Sequence, residues 1–388
     1  MLTRRTFVQT VGLGTAAYIG ARGRENSIWS AFEPTLEAVE PNVICLSSNE
    51  NPGGPGKTVL DAIKTAFGPS GARPGRYDSS AGALTESIAK KLGVKTENVV
   101  LGCGSTQILR SCTHLFTAKD KALVGTIPTY EECAGYAEMM GHPVRPVALD
   151  ANFKIDLDTF ATAAKGAGLV FYCNPNNPTA TYVGARATRD FLAKVAKDSP
   201  DTYVLVDEAY YDYVTDPDHD THIPVALDNP HVIVARTFSK AYGMAGLRMG
   251  YAVGHADTIK KMRDWDAGSG TSSLNVLAMN AGIAAINQDA SFIAAERARN
   301  KDVRDFTMKW FADRNMKPTD SQANFMFVNI GRPVKAFRDA CRAKGVLVAR
   351  DFPPFEKTHC RISYGTMEEM KKAVAVFDEV LKQKATAA

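Results

Sequence analysis

Three apolar runs in this chain each end in residues suited to carbonyl chemistry. His231-Val232-Ile233-Val234-Ala235 leads towards Thr237-Phe238-Ser239-Lys240-Ala241-Tyr242-Gly243-Met244-Ala245-Gly246-Leu247-Arg248. Leu169-Val170-Phe171-Tyr172-Cys173 leads into Asn174-Pro175-Asn176-Asn177-Pro178-Thr179, and Tyr203-Val204-Leu205-Val206 leads into Asp207-Glu208-Ala209-Tyr210. Successive strands would thus deliver an amide, a carboxylate with a phenol, and an amine with a guanidinium. Ligand chemistry in open α/β sheets gathers beyond the carboxyl ends of the strands, so these groups can share one crevice. A lysine in a partly desolvated site loses its proton near neutral pH and attacks a carbonyl, giving a Schiff base.

An aldehyde cofactor with a pyridine ring also needs an acidic partner for its ring nitrogen. Pyridoxal phosphate is such a cofactor, and a lysine with an aspartate is the pairing it requires. Asp207 suits the second role, since an ionised carboxylate keeps the ring nitrogen protonated. Ser239 and Arg248 flank the lysine and would hold the phosphate, Arg248 through paired hydrogen bonds. Singly, each feature has an ordinary reading: a helix start, a helix cap, a proline-rich turn. Their joint order points to a bound cofactor.

With these segments in place, the chain resembles the fold-type I pyridoxal phosphate-dependent aminotransferases, nearest their histidinol-phosphate aminotransferase branch. The resemblance runs from about Val43 to the C-terminus. It also rests on Leu46-Ser47-Ser48-Asn49-Glu50-Asn51-Pro52, Arg76-Tyr77, Gly102-Cys103-Gly104-Ser105-Thr106-Gln107, Pro128-Thr129-Tyr130 and Cys360-Arg361-Ile362-Ser363-Tyr364-Gly365-Thr366.

By that resemblance Lys240 holds the cofactor and moves the α-proton, Asp207 pairs with the pyridine nitrogen, and Asn177 and Tyr210 bond its phenolic oxygen. Tyr130 stacks on the ring. Gly104, Ser105 and Thr106 match the phosphate turn, and a small-residue turn opening a helix aims backbone N–H groups at an anion on physical grounds too. The family usually has acidic residues where Thr106 and Gln107 stand. Tyr77 matches a tyrosine that reaches the neighbouring subunit's cofactor phosphate, which implies a homodimer with shared sites. The loop after it, Asp78-Ser79-Ser80, is shorter than the family's. Arg361 matches the arginine that takes the substrate's carboxylate or phosphate; guanidinium suits both anions. Arg350 would add a second anion contact. Asn177 lies beside the same substrate site. Gly53-Gly54 replaces a bulkier pocket wall, so the donor stays open between histidinol phosphate and an aromatic or other amino acid.

The elements that must position these groups follow from periodicity. Short apolar runs alternate with helical stretches from about Val43 to Ala285, a βαβ rhythm implying a mainly parallel sheet covered by helices. Phe292 to Phe311 reads as one long amphipathic helix. Phe325 to Val328, Val346 to Val348 and Arg361 to Tyr364 read as strands, with helices over Val334 to Lys344 and Met367 to Lys384. The expected organisation is a large cofactor domain over residues 43–290 and a small α+β domain from 25–42 and 291–388.

Residues 1–24 contain Thr3-Arg4-Arg5-Thr6-Phe7-Val8-Gln9, which resembles a twin-arginine export signal, followed by a short glycine-containing apolar stretch. The expected location is the periplasm, with a basic extension on a cytoplasmic protein as the alternative. At 388 residues the chain can bury a large core. Its formal net charge of +4 includes Arg4, Arg5, Arg22 and Arg24, and no basic run elsewhere supports nucleic-acid binding. Seven cysteines and seven histidines are scattered, without the short paired spacing of a metal site. His219 and His222 read as part of a solvated acidic loop. The leading expectation is an aminotransferase using a small-molecule amino donor and a 2-oxo acid acceptor. A lyase or decarboxylase on the same scaffold and a non-catalytic binding protein are the alternatives.

Overall fold

Continuous runs of β-branched and aromatic residues form strands that are covered on both faces. In the computed structural model, which describes residues 43–68, 73–77, 80–266 and 273–382, the helices and strands alternate as the periodicity predicts. The strands are β1 (Ile44–Leu46), β2 (Val99–Cys103), β3 (Leu123–Ile127), β4 (Val144–Ala148), β5 (Leu169–Cys173), β6 (Tyr203–Asp207), β7 (Val232–Thr237), β8 (Met249–Gly254), β9 (Phe325–Asn329), β10 (Val346–Val348) and β11 (His359–Ser363). The expected signal at 1–24 and the segment 25–42 lie outside the described residues.

A seven-stranded sheet has the order β2-β8-β7-β6-β5-β3-β4. β3, β4, β5, β6 and β7 pair in parallel, while β8 is antiparallel to both β7 and β2. All strands but β8 therefore run one way, and their carboxyl ends line one edge. Side chains alternate between faces along each strand. Val170, Tyr172, Val204, Val206, Val232 and Val234 enter the hydrophobic cluster on one side. Leu169, Phe171, Cys173, Leu205, Ile233 and Ala235 enter the cluster on the other. Each such fully buried side chain stabilises by roughly 1.5–3 kcal/mol, which is what fixes the register.

β8 was not foreseen, because glycines at Gly250 and Gly254 interrupt its apolar run. Gly250 has a packing reason. A Cβ on Gly250 would lie 2.4 Å from the Ser105 nitrogen and 2.7 Å from the Gly104 carbonyl carbon. The strand can only pass that close to the Gly104 turn without a side chain.

A further hydrophobic cluster combines Leu46, Met326, Val328, Val346, Cys360 and Ile362 with Phe311, Phe337 and Phe377 from helices Ala290–Ala312, Val334–Arg342 and Met367–Lys382. β9 pairs with β11 antiparallel, and β1 pairs with β10 in parallel. Ile44–Leu46 thus joins the C-terminal strands, although it falls within the 43–290 stretch. Among the described residues no helix is long and apolar enough to cross a membrane.

Candidate active site

The carboxyl ends of β2, β3, β5, β6 and β7 carry the groups singled out from sequence, and polar contacts lock these ends together. Thr129 Oγ1, after β3, donates to Asn176 Oδ1 at 2.7 Å, and Asn176 Nδ2 donates to the Pro128 carbonyl at 3.1 Å. The turns after β3 and β5 are therefore one rigid surface, with Tyr130 on one side and Asn177 on the other.

Asp207 ends β6 and is 3% exposed. Among the described residues its side chain accepts one hydrogen bond, from the Ala209 N–H at 3.1 Å. Burial without a cationic contact pushes its carboxyl up to about 7, the Ala209 bond and the Lys240 charge offsetting only part of the rise. A buried carboxylate in this state suits a cation such as a protonated ring nitrogen.

Lys240 follows β7. Its Nζ donates to the Ser48 carbonyl at 3.1 Å and lies 5.8 Å from the Tyr210 ring centroid. Burial, with help from the Arg361 charge, lowers its ammonium to about 8. The neutral, nucleophilic amine is thus accessible near physiological pH.

Tyr210 is buried, and burial raises its phenol well above the usual value. Its hydroxyl accepts from Asn49 Nδ2 at 3.1 Å. Asn49 sits at φ 55, a left-handed conformation that asparagine tolerates, and Ser363 Oγ donates to its Oδ1 at 2.7 Å. Asn49 thereby ties Tyr210 to β11. Sequence reading noted Asn49 within a motif and gave it no role; its position in a run of small polar residues carried no stronger signal.

Gly104 has φ +71, and a Cβ there would stand 2.5 Å from Arg248 Nη2. Arg248 Nη1 lies 3.5 Å from Ser239 Oγ, and Nη2 lies 3.4 Å from Thr106 Oγ1. Both contacts are long, while Nη1 also donates to the Ala245 carbonyl at 3.0 Å, which fixes the guanidinium beside the Gly104 turn. Ser105 opens the same helix, Gly104–Phe116, whose cap Cys103 supplies no side-chain bond to its first turn. Thr106 also hydrogen-bonds the Tyr130 hydroxyl; burial raises that phenol to about 12. Gln107 turns back, its Oε1 accepting from the Cys103 N–H at 2.6 Å.

Arg361 on β11 is 8% exposed, and its Nη1 donates to Asn177 Oδ1 at 2.8 Å. Its Nη2 bonds the Ser47 carbonyl, and its Nε is buried without a partner. Burial lowers this guanidinium to about 10, because no carboxylate contacts it among the described residues. Arg350 is in the same region: its Cζ is 4.4 Å from the Phe352 centroid and that of Arg361 is 4.9 Å from it. Arg350 also ion-pairs with Glu131 at 2.5 Å. Gly54 has open space where its Cβ would be. Its backbone instead packs on Gly243, whose Cβ would fall 2.2 Å from the Gly54 carbonyl.

Three residues lie elsewhere. Tyr77 is 100% exposed and is not brought to the crevice within its own chain. His219 and His222 are not in a solvated loop, which corrects the sequence expectation. His222 is 2% exposed and its Nδ1 lies 3.1 Å from Glu208 Oε1. His219 packs between Tyr182 and Tyr211, at 5.9 and 4.3 Å between centroids. The loop folds down because Glu208, 4% exposed, draws its polar groups inward: the His222 N–H donates to Oε1 at 2.8 Å and Thr221 Oγ1 to Oε2 at 2.9 Å. Arg236 completes this network with Nε and Nη2 at 3.0 and 2.8 Å from Glu208 Oε2. Among the described residues, no group of three or more His, Cys, Asp or Glu side chains could hold a metal ion.

The residues therefore fit pyridoxal phosphate: a deprotonatable amine, a buried acid lacking a cation, a phenol and amide, and a small-residue cradle with a guanidinium. Comparison with known proteins agrees. Residues 41–377 match the family described as Aminotransferase class I and II. The chain is 34% identical over 342 residues to the histidinol-phosphate aminotransferase of Moorella thermoacetica, covering 88% of this chain and 86% of that one. The structure of histidinol-phosphate aminotransferase from Sinorhizobium meliloti in complex with pyridoxal-5'-phosphate superposes with a TM-score of 0.78 at 26% identity, covering 87% of this chain and 91% of that one. Aspartate aminotransferase from Thermus thermophilus with maleate shares the fold, with a TM-score of 0.75 at 22% identity over 90% of this chain and 94% of that one. This chain belongs to the class I and II aminotransferase family.

Proposed function

We propose that this protein uses pyridoxal 5'-phosphate to move an amino group between an amino acid or histidinol phosphate and a 2-oxo acid. The observation that carries the reading is the pairing of Asp207, a buried acid held by one backbone N–H, with Lys240, whose amine is lowered to about 8. When bound, the cofactor supplies an electron sink for the substrate's α-carbon. Lys240 would hold the aldehyde through Nζ, then take and return the α-proton. Asp207 would keep the ring nitrogen protonated. Gly104, Ser105, Thr106, Ser239 and Arg248 would bind the phosphate, and Tyr130 would cover the ring.

Asn177 Oδ1 accepts from Arg361 Nη1 at 2.8 Å, which leaves its amide N–H groups to a ligand; with Tyr210 they would bond the cofactor's phenolic oxygen. An anion bound to Arg361 would thereby be sensed by the group that bonds that oxygen.

The same reading includes a homodimer in which Tyr77 completes the partner's site; an aromatic side chain that is 100% exposed favours it. It includes a large domain over residues 43–290 and a small one from 25–42 and 291–388, and export to the periplasm through the Arg4-Arg5 segment. Mixing purified protein with a panel of amino donors tests the function. The cofactor absorbance should shift with stoichiometric 2-oxo acid release; carbon dioxide release without any nitrogen transfer would overturn it.

A further inference from the structure

Arg361 carries its charge into a site where it is 8% exposed, and rings face it where a carboxylate would ordinarily stand. Its Cζ lies 4.9 Å from the Phe352 centroid and 5.6 Å from that of Phe325. Its polar partners, Asn177 Oδ1 and the Ser47 carbonyl, are neutral and take one N–H from each terminal nitrogen. A guanidinium has five N–H groups, so among the described residues three remain, the buried Nε–H included.

The backbone explains how Phe352 reaches this arginine. Phe327 pairs with Arg361 across β9 and β11, so the two side chains share a face, with Phe325 two residues along. The Ala349 N–H donates to the Arg361 carbonyl at 3.2 Å, which brings the chain leaving β10 alongside β11. Three residues later Phe352, 2% exposed, packs edge-on against Phe327 at 6.4 Å and 85°. The Phe355 N–H donates to the Phe352 carbonyl at 2.9 Å, and the His359 N–H to the Phe355 carbonyl at 2.9 Å, fastening the loop to the start of β11. The Phe352 ring is thus held by packing that does not need the Arg361 side chain.

A ring face attracts a guanidinium through its quadrupole, more strongly where water is excluded, and consumes no N–H. A carboxylate in the same place would also hold the cation, but it would occupy donors that an incoming anion needs. We propose that Phe352 is a positioning residue: its ring holds the Arg361 guanidinium in place while leaving the remaining N–H groups to the substrate's anion. That this anion belongs to an amino donor rests on the aminotransferase reading; the positioning itself is read by binding alone. Arg350 also meets the Phe352 ring, its Cζ at 4.4 Å, and one arm of the test separates the two arginines.

The test uses the cofactor-loaded enzyme and two ligands of one shape, 3-phenylpropionate and the uncharged 3-phenylpropionamide, with dissociation constants measured calorimetrically. F352L keeps apolar bulk and removes the ring face; it should weaken the carboxylate about tenfold and the amide less than about twofold. F352Y, which keeps the ring, should stay within about threefold of wild type for both. In an R350Q background F352L should again weaken the carboxylate about tenfold. Loss of the effect there would assign the ring to Arg350 and overturn the proposal. Equal weakening of carboxylate and amide by F352L would reduce Phe352 to packing and overturn it too. So would wild-type carboxylate binding in F352L, or an F352Y as weak as F352L. F352M, likewise without a ring, supplies the same comparison if F352L does not fold. The function reading fails separately: ring-dependent carboxylate binding without nitrogen transfer to any 2-oxo acid would sink that reading and leave Phe352 in its role. Normal transfer with ring-independent binding would do the reverse.

Discussion

Asp207 and Glu208 are neighbours in the chain, both buried, and held in opposite ways. Glu208 is surrounded by Arg236, His222 and Thr221. Burial alone would raise its carboxyl, but Arg236 and His222 outweigh that and hold it at about 2. Asp207 has one backbone donor and rises to about 7. The difference separates scaffold from site. A buried charge whose partners all come from the chain is structural, whereas one left short of a partner is prepared for a ligand that brings it.

Removing Lys240 should have the largest effect. Lys240→Ala should lose at least about a thousandfold in turnover while keeping its circular dichroism spectrum, because the nucleophile and proton carrier are gone and the core is untouched. Near-normal turnover would place the chemistry elsewhere.

Glu208→Ala should strike stability and not chemistry directly. It strands the Arg236 guanidinium, only 14% exposed, and should cost roughly 3–5 kcal/mol in urea denaturation. An unchanged unfolding midpoint would mean the network is not the scaffold described.

Asp207→Asn should behave oppositely. Cofactor affinity should drop about tenfold or more as the ring nitrogen loses its anionic partner. The cofactor-free variant, however, should be as stable as wild type or more so at pH above about 7. The sign follows from a folded-state value raised from 3.8 to about 7: stability associated with the protonated acid is present below pH 3.8 and lost as pH rises to about 7. Wild-type cofactor-free protein should show that slope and the variant should lack it. A destabilised variant at pH 8 would erase the contrast between the two carboxylates.

Asn49→Gly should give the smallest change, a several-fold loss in turnover, roughly the worth of one hydrogen bond to Tyr210. Glycine adopts the left-handed backbone freely and places no charge in a site that is 1% exposed. No change in kinetics would remove Asn49 from the site.

Much of this contrast was legible in the chain. The apolar runs announced β5, β6 and β7, and the polar residues at their ends marked Asn177, Asp207, Tyr210 and Lys240. Arg361 was legible from the family resemblance of its segment, with Ile362 and Tyr364 alternating beside it. Glu208 was passed over because its role depends on Arg236 and on a loop folding back over Thr221 and His222. His219 and His222 read as solvated from the acidic residues around them, when both histidines are packed. β8 escaped because Gly250 answers a close approach to Gly104, a constraint that exists only in three dimensions. The Glu131–Arg350 pair joins residues far apart in sequence and left no local trace.

The covalent state of Lys240 is the most direct test. Purified enzyme reduced with borohydride and digested should yield one pyridoxyl-modified peptide, with the added mass on Lys240. A modification on another lysine, or none in protein that nonetheless transfers amino groups, would contradict the assignment.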